Sequence, residues 1–202
     1  MPSNDSFFAI KGLFLCRQRT LSDKVLFVSD FADEFPDTEV IGTDVSPIQP
    51  TWVPPNVKFE IDDCNREWTW GDNTIDYVHM RGLVGAVDDW YALFENAYRV
   101  TKPGGWVESS EPSSRFLSDD GSVKEGSALD QWSKVFREGA KKFGRTFSVF
   151  EEDLQRKCME AAGFVDIQYK DIQIPMGVWH PDKKAAERGL WYKLAVESDL
   201  DG

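Results

Sequence analysis

EVIGTDVSPIQPTWVPPNVKFEIDDCNREWTW, residues Glu39 to Trp70, holds two short apolar runs that each end in acid. Val40 and Ile41 are closed by Gly42, Thr43 and Asp44, which reads as a buried parallel strand ending in a carboxylate. Four prolines, Pro47, Pro50, Pro54 and Pro55, break the chain before a second run, Val57 to Ile61, which ends in Asp62 and Asp63. In an open parallel α/β sheet, ligands lie in the crevice outside the carboxyl ends of the strands, so acids placed there face a ligand. A carboxylate at the end of the second strand can accept hydrogen bonds from both hydroxyls of a ribose, and that is the role this pattern assigns to Asp44.

Outward from this stretch, strand and helix patterns alternate. Upstream, Asp30 to Phe35 puts Phe31, Ala32 and Phe35 on one helical face and stops at Pro36, while Phe7 to Val28 has no clear period. Downstream, Thr74 to Met80 reads as a strand, and Asp88 to Val100 as a helix stopped by Lys102, Pro103, Gly104 and Gly105. Gly105 to Ser109 follows as a strand with Glu108 and Glu111 at its end. Ala128 to Phe143 and Glu151 to Ala162 read as helices, Gly163 closes the latter, and Phe164 to Ile174 alternates like a strand. The expected architecture is therefore α/β, a mostly parallel, doubly wound sheet.

The 202 residues suffice for one core, and residues 1–28 read as a divergent N-terminal segment ahead of a single domain over 29–202. A net charge of −12 with no basic stripe argues against direct nucleic-acid binding, which draws most of its affinity from phosphate contacts. Three cysteines without a CxxC pair disfavour disulfides and zinc and point to a reducing, cytoplasmic setting; no metal ligand set stands out. No apolar run approaches a membrane span, and no signal peptide is evident.

The strings VIGTDVSPIQPTWVPPNVKFEIDDC, DYVHMRGL and RVTKPGGWVE, followed by an AAGF helix end, closely resemble the fungal class I methyltransferases that use S-adenosylmethionine, the group that includes the secondary-metabolism regulator LaeA. The similarity runs from about Asp30 to His180 in the right block order. It implies a Rossmann-like sheet and S-adenosylmethionine as cofactor, contacted by Asp44, Val45, Asp62, Asp63, Cys64 and Arg81. Asp44 would hold the ribose, Asp62 and Asp63 would flank the adenine, and His79 to Arg81 would lie beside the methionine arm and the substrate. His79 is then the candidate catalytic base.

The chain departs from the resemblance in two places, the segment ahead of Asp30 and the far end past VWHPDKK, where the family's long helix and closing antiparallel strand are not matched. No glycine lies between Gly12 and Gly42, where such enzymes carry a glycine-rich loop whose backbone the cofactor approaches too closely for a Cβ. The sheet is therefore expected to be truncated at its first and last strands, and cofactor binding to be weak or lost. Three functions remain open: a methyltransferase acting on a small aromatic or polyketide-like metabolite, a cofactor-independent auxiliary protein that steers a biosynthetic intermediate, and a regulatory protein resembling LaeA, for which a nuclear location would follow. The expected partners are a small-molecule substrate and a second copy or partner enzyme. Trp68 and Trp70 are the candidate cavity-lining aromatics, and Arg81, Glu108 and Glu111 read equally as rim ion pairs.

Overall fold

A computed structural model describes residues 11–16, 21–46 and 52–200. Its elements run β1 (Lys11–Cys16), α1 (Leu21–Glu34), β2 (Glu39–Asp44), β3 (Val57–Ile61), β4 (Ile75–Arg81), α2 (Trp90–Val100), β5 (Thr101–Ser110), α3 (Ala128–Lys141), α4 (Leu154–Ala162) and α5 (Lys183–Leu200). The strands form one five-stranded, wholly parallel sheet in the order β3-β2-β1-β4-β5.

The alternation of side chains along each strand sends them to two separate cores. Leu13, Ile41, Val78 and Met80 face one side, where they meet Leu93, Phe94 and Ala97 of α2 and Cys158 of α4. Phe14, Val40 and Val57 face the other, under Val28 and Ala32 of α1. Helices therefore cover both faces, as a fully parallel sheet requires. Asp89 caps α2, its Oδ1 accepting from the amides of Tyr91 at 2.9 Å and Ala92 at 3.2 Å. At the opposite edge of the sheet, the Asn56 side-chain amide donates to three carbonyls, those of Ala32, Phe35 and Thr38, at 3.0–3.2 Å. This joins the end of α1 to the entry of β3.

Four expectations are corrected. The first strand is not truncated: KGLFLC forms β1 at the centre of the sheet, paired with β2 on one side and β4 on the other. The absence of glycine after it hid the strand, because a strand-then-glycine signal is what marks this position in sequence. The helical pattern at Asp30 to Phe35 is only the last part of α1, whose earlier residues mix polar and apolar types. β5 begins at Thr101 and not at Gly105: Lys102 to Gly105 loops out of register, since Ile75 pairs with Thr101 but Tyr77 pairs with Trp106. Lys102 Nζ is meanwhile held by both carboxylate oxygens of Asp76, at 2.9 and 2.8 Å.

Phe164 to Ile174, the fourth, forms no strand. Alternation supplies two faces but not a neighbour to complete the ladder, and Val165, Tyr169 and Ile172 are more than half exposed. No strand follows β5 among the described residues, so the sheet does stop short at its last strands, as expected. The chain divides into two compact units, Met1–Ile167 and Gln168–Gly202. The second carries α5, a helix not anticipated from the sequence, and Gly177 donates to the Gly189 carbonyl at 3.0 Å within it. No described helix is long and apolar enough to cross a membrane.

Candidate functional site

The strand order reverses direction between β1 and β4, and ligands of open parallel sheets bind at that switch, beyond the strands' carboxyl ends. The pairing register brings Ile61 beside Asp44 and Cys16 beside Arg81, and Arg81 beside Ser110, so the last residues of all five strands share one rim. Asp44 and Asp62 are joined there directly, the Asp62 amide donating to the Asp44 carbonyl at 3.0 Å. Asp44 Oδ1 accepts from the Ser46 amide at 2.8 Å, a turn that fixes the carboxylate at the strand end.

Asp62 and Asp63 build the next turn. Asp62 Oδ1 accepts from the Asp63 amide at 2.8 Å, and Asp63 Oδ1 accepts from the backbone and side-chain amides of Asn65 at 3.0 and 3.1 Å. Asn65, not singled out from the sequence, continues the chain of contacts: its Nδ2 donates to the Ala86 carbonyl at 3.0 Å and its Oδ1 accepts from the Asp88 amide at 2.7 Å. The loops after β3 and β4 are thereby fixed to one another. Cys64, half-buried, supplies the carbonyl on which Trp68 Nε1 rests at 3.4 Å.

Two apolar side chains at this rim are left in water. Val45 and Ile61, which flank Asp44 in sequence and in register, are each 63% exposed. A carboxylate set between two exposed aliphatic groups suits a nucleoside, with the acid on the ribose hydroxyls and the aliphatic groups against the base. On this ground the residues present fit the nucleoside end of S-adenosylmethionine. The amino-acid end is different: the connection from β1 to α1, residues 17–20, reads RQRT and holds no glycine, and its structure lies outside the described residues.

Arg81 is exposed at the end of β4, its guanidinium 5.5 Å from the centre of the Phe27 ring. His79, two residues earlier on the same face, is almost fully buried and stacks on Phe27 at 4.7 Å. Burial holds its imidazole below the usual histidine range; the Glu108 carboxylate opposes this and Arg81 adds to it.

Beyond β5, Glu111 grips the loop after β4, Oε1 accepting from the Leu83 amide at 2.9 Å and Oε2 from the Val84 amide at 2.8 Å. Burial pushes its pKa up to about 7, against the pull of those two amides. A folded-state pKa raised from 4.5 means that this group's contribution to stability is full below about pH 4.5 and is lost as pH rises through about 7. The difference in urea midpoint between the parent chain and Glu111→Gln should therefore shrink, or change sign against the parent, between about pH 5 and about pH 8. Parallel pH profiles for the two proteins would refute the assignment.

That same loop borders a cavity of about 530 Å³ between Gly85 and α3, lined by Val135, Phe136, Phe143 and Phe147, with Asp88 and Arg145 at its polar end. Arg145 closes on Asp88 Oδ1 at 2.8 Å and on the Gly85 carbonyl at 3.3 Å. Gly85 has φ of +74°, and a Cβ there would lie 2.3 Å from the Phe147 ring, so only glycine lets the loop pass. The helix α3 is legible from its spacing, but no local pattern signals that its apolar face borders a cavity. Trp68 and Trp70 do not line it: Trp68 is 3% exposed in the core, edge-on to Trp70 at 5.7 Å. A tryptophan in a loop satisfied its burial inward, since its Nε1 had a carbonyl to meet there.

Comparison with known proteins accords with this geometry. The chain is 32% identical over 178 residues to the Secondary metabolism regulator LAE1 of Cochliobolus heterostrophus, covering 87% of this chain and 57% of that protein. It is 33% identical over 150 residues to the Methyltransferase pytC of Aspergillus terreus, covering 74% of this chain and 45% of that one. The chain thus spans about half the length of the curated relatives it matches. In fold it resembles the Haemonchus contortus Phosphoethanolamine N-methyltransferase 2 solved with S-adenosyl-L-methionine, at a TM-score of 0.50 and 21% identity over 79% of this chain and 34% of that one. The family model described as a Methyltransferase domain matches residues 23–169, and with that match over most of its length the chain belongs to the methyltransferase domain family.

Proposed function

We propose that this chain is a methyltransferase-family protein of fungal secondary-metabolite biosynthesis, which holds the nucleoside end of S-adenosylmethionine on its strand rim and a small aromatic or polyketide-like metabolite beside α3. The observation that carries the reading is the Asp62–Asp44 backbone bond, which sets both acids on one lip next to the exposed Val45 and Ile61. The relatives named for secondary metabolism and for methyl transfer supply the biological setting.

When bound, S-adenosylmethionine supplies a methyl group on a sulfonium, open to in-line attack by a nucleophile. The chain's own residues then have three tasks. Asp44 accepts from the ribose hydroxyls, and Val45, Ile61, Asp62, Asp63 and Cys64 border the base. The apolar lining of this open cavity, Phe136 and Phe147 among it, would align a flat substrate, and alignment is where most of the advantage of such a transfer arises. Arg81 and His79 lie nearest the strand-order switch, where the reacting groups would meet.

Because RQRT offers no glycine for close backbone approach, the amino-acid end should add little to affinity. Calorimetry is expected to give S-adenosylmethionine and 5′-methylthioadenosine dissociation constants within about tenfold, or about 1.4 kcal/mol, of each other. A preference for S-adenosylmethionine above about 100-fold would show that the glycine-free connection does hold the methionine arm. If neither compound binds at millimolar concentration, the nucleoside reading fails. The cofactor-independent auxiliary role, which the missing glycine favours, would then stand in its place.

A further inference from the structure

Tyr77, His79 and Glu108 form a hydrogen-bonded chain on the α1 face of the sheet. The Tyr77 hydroxyl donates to Glu108 Oε2 at 2.7 Å and lies 3.1 Å from His79 Nδ1, which is itself 3.8 Å from Glu108 Oε2. A carboxylate can only accept, so the single hydroxyl proton of Tyr77 is committed to Glu108. The tyrosine oxygen then offers a lone pair to Nδ1, and Nδ1 must carry a proton to use it. A neutral imidazole has one N–H, which leaves Nε2 as an acceptor. Nε2 is buried and meets no donor among the described residues, in a side chain 5% exposed with Phe14 and Phe27 around it.

We propose that Glu108 and Tyr77 are positioning residues that hold His79 in the Nδ1–H tautomer and so keep Nε2 a lone-pair acceptor. What the acceptor is used for rests on the function proposed above; the tautomer does not. For that use a substrate oxygen would have to enter beside Phe27; its O–H proton would then pass to Nε2 and the electron pair stay on oxygen as the nucleophile. The imidazolium keeps Nδ1–H on Tyr77, with the Glu108 carboxylate facing its charge. The opposite tautomer would have no lone pair at Nε2 and could not take this proton.

The chain has two histidines, so two imidazole patterns are expected in a long-range ¹H–¹⁵N correlation spectrum of labelled protein, and His180→Asn removes one to assign the other. At neutral pH, His79 should show a protonated Nδ1 and a pyridine-like Nε2. Tyr77→Phe deletes the hydroxyl and should return the ring to the Nε2–H form that free histidine prefers. Glu108→Ala frees the tyrosine proton to point at Nδ1 and should do the same. A protonated Nε2 in the parent chain, or a tautomer unmoved by Tyr77→Phe, would overturn the proposal. The parent spectrum alone decides the matter if the variants fail to fold. Failure of nucleoside binding by calorimetry would remove the proposed function but leave this tautomer measurable.

Discussion

Asp44→Ala is expected to weaken binding of 5′-methylthioadenosine by more than about 100-fold, while leaving global stability within about 1.5 kcal/mol of the parent. Hydrogen bonds to a charged partner are worth about 1.5–3 kcal/mol each, and a carboxylate holding two ribose hydroxyls loses both when truncated. The stability cost is small because Asp44 sits in no core cluster; truncation removes the turn from the Ser46 amide to Oδ1, a contact of about 1 kcal/mol. Asp44→Asn keeps an oxygen for Ser46 but loses the charge, so it should fall between the two, at about tenfold. Calorimetry with the three proteins at one salt concentration reads the series. Equal affinities for the parent and Asp44→Ala would place the nucleoside elsewhere.

The largest effect on folding is expected at Phe94. It is 0% exposed at the middle of α2, tilted against Trp90 at a ring separation of 6.4 Å, within the cluster that joins the sheet to α2 and α4. Alanine there removes apolar contact and leaves a void that the close-packed surroundings fill only in part. The cost is about 3–5 kcal/mol, a large share of the 5–15 kcal/mol typical of a whole domain. Tyr98 on the same helix offers the contrast: it is 48% exposed, its ring edge meeting Phe164 at 5.0 Å, so Tyr98→Ala should cost markedly less. Urea titrations followed by tryptophan fluorescence measure both. A Phe94→Ala cost below about 1 kcal/mol would mean that α2 is not clamped in the way its burial indicates.

What could be read ahead of the structure was whatever repeats locally. β2, β3 and β4 were legible because apolar runs end in Asp44, in Asp62 with Asp63, and at Arg81, and the same punctuation put those residues on one rim. Gly163 marked the end of α4, where it does take the left-handed conformation at φ of +101°. β1 was not legible. Its run Gly12 to Cys16 is as apolar as its neighbours, but it is followed by Arg17 and Gln18 where a turn signal would have marked it. The contacts that shape the site were equally hidden, since they join residues far apart in the chain. Asn65 reaches Ala86 and Asp88, Tyr77 reaches Glu108, and Arg145 reaches Asp88 across 57 positions. No local period announces pairs of that kind. The strand-like segment after α4 failed for the reverse reason: its pattern was present, but a ladder needs a second strand that pattern does not provide.

Asn56 also bears on how this architecture can vary. With one amide fastening the foot of β3 to Ala32, Phe35 and Thr38, the alignment of β3 with β2 is set at the entry of β3, independently of the length of the connection between them. Extra residues grafted between Ser46 and Pro54 should therefore leave the ladder unshifted, whereas Asn56→Ala should let it slip. The connection from β2 to β3 is thus a place where evolution, or an engineer, can lengthen the chain without refolding the sheet.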